Sequence, residues 1–531
     1  MAESVKIIEN GIVVTSDAQR RVGKYAILLK DERIAELNLR SDGFKVRFPN
    51  AEVIDASEKV LFPGFVDPHY HGESFLLRNW TSGVLFSRWG RENSVRKAFA
   101  RVYRDATKDD LAALYRAAYF SALKSGVTFL CEFGFDNLDH PFSAAREAMK
   151  RADLRGCVGV HNGEQIELAR EQTSGAIQYG MVLPDEDNLT TYNLQSTLRV
   201  VGELKWPIIS HLGETRRGLE SLKRNFQRSI VRILDEYQVF QRTVHLLHLA
   251  CLEEGDDDLL AERRLPLIIN PTSLLSKRAD LPPFATFLAR GIPLALCSDW
   301  GCSDPFENIK SFMHLVAAIG ADPLDPFQLI EMHTIDAARA LHVEQEVGSI
   351  EPGKKADFAF IDISDLRIHQ VILENNPALM LRTLLDQVSA RNVSDVMING
   401  EFFVRKGQIM TYAEEDLKRE YREMFDRLMK PVEPPAQDPA APPSENAAPI
   451  LHLVSGSAGE PREEPAEEPD FDAGNGEDEP FEEGFRIIGK TGSISERSAP
   501  PPRPTPPPKP ERREDSGEPK PSGRVFGEDD F

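Results

Sequence analysis

Two histidines separated by one residue follow the first apolar run that could form a buried strand. His69 and His71 stand in FPGFVDPHYHG, just after that run. Side chains two positions apart on a strand point to the same side, so the two imidazoles would converge on one point. Imidazole is a common ligand of divalent cations, although an HxH pair also arises by chance. The pair therefore indicates a candidate metal site.

Further imidazole and carboxylate side chains stand at or near the ends of later apolar runs. They are His211 after WPIIS, His245 and His248 in TVHLLHL, and Asp299 after IPLALCS. These are the side chains that bind Zn²⁺ or Fe²⁺. So many titratable groups at one rim would be unfavourable unless a cation or catalysis organised them. We therefore expect them to share one site.

Eight apolar, β-branched runs predict the elements that would carry these side chains. The runs begin at Phe62, Gly126, Gly156, Tyr179, Trp206, Thr243, Leu265 and Ile292. Longer stretches with helical periodicity follow them, which is the pattern of parallel strands connected by helices. Eight such units predict an α/β fold, the (β/α)8 TIM barrel, with the active site at the C-terminal ends of the strands.

Both flanks of this repeat alternate like half-exposed strands, with NGE and KGQ as turn signals. We therefore predict a small composite β-sandwich domain built from the two flanks. The predicted boundaries are 1–60 and 346–411 for the β domain, 61–345 for the barrel, 412–430 for a C-terminal helix, and 431–531 for a tail.

The composition changes sharply at Pro431. Residues 431–531 hold 21 of the 37 prolines and 23 acidic against 10 basic side chains. Such a segment buries too little apolar surface to offset its ordering entropy, so we predict a disordered acidic and proline-rich tail. The tail could be a solvated spacer, or its PPPRPTPPPKP stretch could dock an unidentified protein in a polyproline II conformation.

Charge and cysteine usage exclude several classes of protein. The net charge of -22 disfavours binding to nucleic acid or to an anionic membrane surface. The five cysteines show no CxxC pair, so neither a disulfide framework nor a zinc ribbon is indicated. The N-terminus lacks the pattern of a signal peptide, and no run approaches 18 apolar residues. We expect a cytoplasmic homo-oligomer with reduced thiols.

Several motifs occur together over about residues 5–410. They are PGFVDPHYHG, SGVTF, SHLGET, HLLHL, NPTS, CSD and VGSIEPGKKADFAFID. With them the sequence resembles the amidohydrolase superfamily, in the branch of cytosine, guanine and adenosine-type deaminases and triazine hydrolases. The resemblance implies one divalent metal ion, most often zinc and sometimes iron, bound by His69, His71, His211 and Asp299.

The same resemblance implies catalytic roles for three residues. Glu214, three residues after His211, resembles the family's proton shuttle, and Asp299 would accept a proton besides binding metal. His245 matches the histidine at the end of the sixth strand, which polarises the substrate and holds the attacking water. His248 is interpreted as a packed histidine or one that supports a ligand, rather than a catalytic one.

The sequence favours a site with one metal ion and leaves other residues open. A second metal ion would need a bridging group, and only Glu132 and Glu164 are weak candidates. His161 ends the third strand and could contact substrate or be structural.

Trp300 and Leu274 depart from the family pattern. The bulky Trp300 follows the metal aspartate, and Leu274 replaces the amide of the family's PTSN motif. Trp300 could stack on a planar heterocycle or pack beneath the rim.

We therefore predict a metal-dependent hydrolase of carbon–nitrogen bonds other than peptide bonds. Deamination of an aminated nitrogen heterocycle by a metal-bound hydroxide is the favoured reaction. The alternatives are a cyclic amidase or chlorohydrolase with the same site, and a non-catalytic scaffold that recruits partners through its tail.

Overall fold

A computed structural model describes residues 4–135, 140–171, 175–301, 303–365, 368 and 376–430. The predicted disorder of the tail, residues 431–531, falls outside the described residues. Within the described ranges, no helix has both the length and the apolar character that crossing a bilayer requires.

The N-terminal flank forms seven short strands that contribute to two sheets. The strands are β1 Val5–Glu9, β2 Ile12–Val14, β3 Val22–Lys24, β4 Ala26–Lys30, β5 Arg33–Asn38, β6 Glu52–Asp55 and β7 Lys59–Pro63. A four-stranded sheet has the order β5-β4-β1-β6. Strands β2, β3 and β7 belong to a second sheet that the C-terminal flank completes.

Eight parallel strands form the barrel, which confirms the predicted fold. They are β8 Phe65–Tyr70, β9 Val127–Glu132, β10 Arg155–Val160, β11 Ile177–Val182, β12 Ile208–Leu212, β13 Val244–His248, β14 Leu267–Ile269 and β15 Leu294–Leu296. Each strand pairs with the next one along the chain. A parallel bridge between Tyr70 and Asp299 brings the first and last strands together.

Small and apolar side chains fill the interior of the barrel beneath its rim. They come from all eight strands and include Val66, Cys131, Cys157, Val182, Ile209, Leu247, Ile268 and Ala295, all buried. Because such layers close the centre of a TIM barrel, polar groups can gather only where the strands end.

The C-terminal flank completes the second sheet. Its strands are β16 Phe358–Asp362, β17 Val393–Ile398, β18 Glu401–Arg405 and β19 Gln408–Ile409. The sheet has the order β19-β18-β17-β16-β7-β2-β3, so β7 and β16 join the two ends of the folded chain. Side chains of both sheets, including Ile8, Ile27, Phe358 and Met397, share one apolar core. The predicted composite arrangement of the flanks is therefore observed.

Seventeen α-helices lie in the described ranges. They are α1 Asp42–Arg47, α2 Ser74–Thr81, α3 Asn93–Ala100, α4 Lys108–Lys124, α5 His140–Ala152, α6 Gly163–Arg170, α7 Thr191–Leu204, α8 Arg216–Phe226, α9 Ile230–Glu236, α10 Asp256–Arg263, α11 Pro271–Lys277, α12 Phe284–Ala289, α13 Pro305–Ala318, α14 Pro326–Glu331, α15 Ile335–Ala340, α16 Pro377–Gln387 and α17 Glu414–Leu428. Helix α17 packs on α4, with an ion pair of 2.6 Å between Arg116 and Glu420.

Candidate active site

Four side chains bring one ligand atom each to a common point at the rim of the barrel. These atoms lie within 4.8 Å of one another and belong to His69, His71, His211 and Asp299. The three histidine Nε2 atoms are 3.0 to 3.3 Å apart. Ligand atoms about 2.1 Å from one tetrahedral Zn²⁺ lie about 3.4 Å from each other, so this spacing fits a single ion.

Closure of the barrel places the first and last of these residues side by side. The amide of Asp299 donates to the carbonyl oxygen of His69 at 2.9 Å, and the amide of His71 donates to the carbonyl oxygen of Asp299 at 3.2 Å. Asp299 has a φ of 47°, in the left-handed region that residues other than glycine rarely adopt. Such backbone strain is typical of functional sites, where surrounding contacts hold it in place.

The protonation states of two of the three histidines suit metal binding. Burial and the neighbouring imidazoles hold the pKa values of His69 and His211 well below the usual range, so both rings are neutral and offer lone pairs. His71 differs, because the carboxylates of Asp299 and Glu73 outweigh burial and raise its pKa to about 10. A cation bound by Nε2 would displace that proton.

The two carboxylate oxygens of Asp299 have different surroundings. Oδ2 accepts from Asn270 Nδ2 at 2.7 Å, Ser273 Oγ at 2.6 Å and Lys277 Nζ at 2.7 Å. Oδ1 has no hydrogen-bond donor among the described residues, although it is buried and lies 3.4 Å from Nε2 of His71. A buried carboxylate oxygen without a donor, facing three imidazoles, is what a metal ligand presents before binding.

Glu214 and His248 lie beside the four-residue cluster. Their side chains and that of His211 bring ligand atoms within 4.8 Å of one another, and His248 Nε2 is 3.4 Å from Glu214 Oε1. Gly213 turns the chain with a φ of 58°, and Thr215 caps helix α8 by accepting from the Gly218 amide. The turn and the cap together hold Glu214 at the rim, where the sequence predicted it.

The expectation that His245 ends the sixth barrel strand is wrong. Strand β13 continues to His248, and His245 pairs in register with Ile209, two residues before His211. Its Nδ1 lies 3.8 Å from Cys131 Sγ inside the barrel. His248 takes the place at the strand end, where its φ of 75° turns the chain. Burial lowers its pKa to about 3, so the ring is neutral.

Aromatic side chains enclose the cluster, and sequence reasoning missed most of them. Phe133 stacks on His211 with ring centroids 4.2 Å apart and an interplanar angle of 6°. Trp300 is packed rather than open to the pocket: it is 6% exposed, stacks on Phe99 and donates from Nε1 to Thr81 Oγ1 at 3.0 Å. Phe133 directly follows the last residue of β9, the only sequence signal that could have found it.

The weak candidates for bridging a second metal ion lie apart from the cluster. Both oxygens of Glu132 accept from the Gly72 amide, and Oε2 also accepts from Tyr119 at 2.9 Å. Glu164 is exposed on helix α6. His161 donates from Nε2 to the carbonyl oxygen of Phe133 at 2.8 Å. The geometry therefore favours one metal ion among the described residues.

Glu73 supports His71 from the side opposite the cluster. Its Oε1 lies 3.2 Å from His71 Nδ1 and accepts from the Tyr103 hydroxyl at 3.0 Å. Tyr103 belongs to a π-helix, Arg101–Asp105, a rare element that often occurs at functional sites. A carboxylate on the far nitrogen of a metal-binding histidine fixes its ring orientation and tautomer.

Comparison with known proteins identifies the family. The model of the amidohydrolase family matches residues 60–403. This range includes the whole barrel, the four-residue cluster, Glu214 and His248. The chain belongs to the amidohydrolase family, as its motifs predicted. It is thus a hydrolase that acts on carbon–nitrogen bonds other than peptide bonds. The family is metal-dependent, and the histidine and aspartate cluster is a possible metal site.

The matches to individual relatives extend over most of each relative's length. A protein of Syntrophomonas wolfei named 5-methylthioadenosine/S-adenosylhomocysteine deaminase is 25% identical, over 79% of this chain and 97% of its own. One of the same name from Symbiobacterium thermophilum is 28% identical, over 67% and 85%. An adenosine deaminase from Xanthomonas campestris with bound zinc superimposes with a TM-score of 0.71 at 21% identity, over 80% and 98%. That superposition supports the fold.

Proposed function

We propose that this amidohydrolase is a deaminase that uses one Zn²⁺ ion and releases ammonia from an aminated nitrogen heterocycle. The observation that carries the proposal is the contact of the four-residue cluster with Glu214 and His248 at one rim. The names of the relatives make a 6-aminopurine nucleoside the first substrate to test.

The donor set fits the ion, since three imidazoles and one carboxylate oxygen without a donor converge. His69, His71, His211 and Asp299 would hold a divalent cation there, which would lower the pKa of a bound water toward roughly 7 and so supply the nucleophile.

The remaining steps belong to side chains of the chain itself. Glu214 takes a proton from the attacking water and passes it to the leaving nitrogen, a task that typically contributes about 10² to 10⁴ in rate. His248, neutral and next to Glu214, hydrogen-bonds the ring atom on which negative charge develops. Asp299 takes the second proton of the water and delivers it to the ring nitrogen, so that ammonia and a ring carbonyl are formed.

A screen for ammonium release tests the proposal. The protein with about one Zn²⁺ per chain is incubated with adenosine, thioether-substituted adenosines, guanine, cytosine and aminotriazines, and ammonium is measured with a coupled dehydrogenase. We expect one substrate group to be deaminated, and Glu214→Gln to lower kcat by at least about 100-fold while keeping its metal. Absence of ammonium from every amino-heterocycle, at full metal content, would contradict the proposal.

A further inference from the structure

Lys277, at the end of helix α11, is a buried cation beside the candidate active site. It is 4% exposed, and three aromatic rings surround its ammonium group. The centroids of Phe86, Trp89 and Trp300 lie 5.1, 5.8 and 5.9 Å from Nζ. A lysine is rarely buried unless it is paired. The steps assigned above to the metal ion, Glu214, His248 and Asp299 give this lysine no role.

The ammonium group reaches two carboxylates with different tasks. Nζ is 2.7 Å from Oδ2 of Asp299 and 3.5 Å from Oε1 of Glu214. Without a cation between them, these two carboxylates would repel each other across a buried site. Lys277 thus connects the residue that would bind the metal ion to the residue that would move the proton.

The contact with Asp299 also determines which oxygen is available. Lys277, Ser273 and Asn270 all donate to Oδ2, so Oδ1 is the oxygen that faces the histidine nitrogens. Helix α11 presents Ser273 and Lys277 on one face because they are four residues apart. A carboxylate held in this way cannot rotate to exchange its oxygens without losing three hydrogen bonds.

Phe86, Trp89 and Trp300 form an aromatic wall that fixes the position of the ammonium group. Cation–π attraction favours a cation within about 6 Å of a ring face, and the distances to Phe86, Trp89 and Trp300 meet that limit. The rings offer the ammonium group no competing hydrogen-bond acceptor on that side. Its donors are therefore directed at the two carboxylates.

We propose that Lys277 is a positioning residue that presents Oδ1 of Asp299 to the metal ion and holds Glu214 at a fixed distance from it. The proposal rests on the metal site and the proton transfer of the proposed function. It adds a cation to the machinery, on the side of the site that faces α11 and the aromatic wall.

The test combines metal retention with kinetics. Lys277→Met removes the charge and keeps much of the length, Lys277→Arg restores a cation, and Lys418→Met is the control on exposed helix α17, where Lys418 pairs with Glu415. Each full-length protein is loaded with Zn²⁺ or Co²⁺. Metal affinity is measured by competition with a chelator, and the visible absorption of the Co²⁺ form reports coordination.

We expect Lys277→Met to lose about 10- to 100-fold in metal affinity, as when other residues that orient ligands are changed. Its Co²⁺ spectrum should shift, and kcat should fall at least 100-fold while KM changes less than threefold. Lys277→Arg should recover part of both losses, and Lys418→Met should match the wild type. Should Lys277→Met not fold, Lys277→Ala assayed with added ethylammonium replaces it, and the amine should restore activity.

Two results would overturn the inference in different ways. Wild-type metal affinity and Co²⁺ absorption in Lys277→Met, or a Lys277→Ala that ethylammonium does not rescue, would refute the role of Lys277 while leaving the proposed function intact. A wild-type protein that binds no divalent metal ion would refute both the role and the proposed function.

Discussion

Replacing each of the two histidines in β13 by asparagine, one at a time, should have clearly different effects on kcat. His248→Asn suits the backbone, because asparagine tolerates the φ of 75° at this position. His248 Nε2 lies 3.4 Å from Glu214 Oε1, beside the cluster of His69, His71, His211 and Asp299. Loss of one group that stabilises developing charge typically costs about 10² to 10³ in kcat, or about 2.7 to 4 kcal/mol. We expect a loss of that size for His248→Asn.

His245 stands three residues earlier in the same strand. At about 3.3 Å per residue it lies about 10 Å below His248 along the strand, beyond the reach of a hydrogen bond to substrate. His245→Asn should therefore keep kcat within about threefold of the wild type, and any loss should be in thermal stability. The assay is kcat and KM for ammonium release from the best substrate, with circular dichroism to check folding. An equal loss of kcat in a folded His245→Asn would refute the assignment of His248.

Three further changes test other parts of the structure. Removal of 431–531 should leave kcat/KM within twofold, because every cluster residue lies before Lys430; a larger loss in a folded truncated protein, seen in the same assay, would give the tail a catalytic role. Burial lowers the pKa of His333 to about 4 from 6.5, so only the unfolded state takes up the proton between these values, and the free energy of unfolding should fall by up to about 3 kcal/mol as pH drops from 6.5 to 4. Urea unfolding at pH 5 and pH 7 should show a smaller difference for His333→Gln, and an unchanged difference would exclude this group. Gly72→Ala would place a Cβ atom 2.3 Å from Tyr115 Cδ1, and we expect a lower Tm and lower metal content; wild-type values of both would show that the backbone between His71 and Glu73 can shift freely.

The fold and the meeting of His69, His71, His211 and Asp299 at one rim were predictable because local signals suffice for them. Apolar runs separated by helical stretches predicted all eight barrel strands, including Leu267–Ile269 and Leu294–Leu296 with three residues each. The histidine pair two residues apart and the polar residues after later strands predicted the cluster, since the ends of parallel strands meet at one rim. These signals need only the period of a strand and the order of the elements.

The error at His245 shows what local signals leave open. His245 and Leu247 are two residues apart, so their side chains point to the same side of the strand, into the barrel. How far His245 lies from the rim, however, depends on the residue at which the strand ends. That end is marked by the positive φ values of His248 and Leu249. The contact of Lys277 with Asp299 could not be predicted for a similar reason, because it depends on how α11 lies against the end of the last strand.

Metal stoichiometry tests the central claim most directly. Residues 1–430 and the same chain with Asp299→Ala are purified, reconstituted with Zn²⁺ and desalted to remove unbound metal. Elemental analysis then gives the number of bound ions per chain. The account predicts about one tightly bound ion per chain in the wild type and a strong loss in Asp299→Ala. Two ions per chain, or none after reconstitution, would contradict a single-metal deaminase.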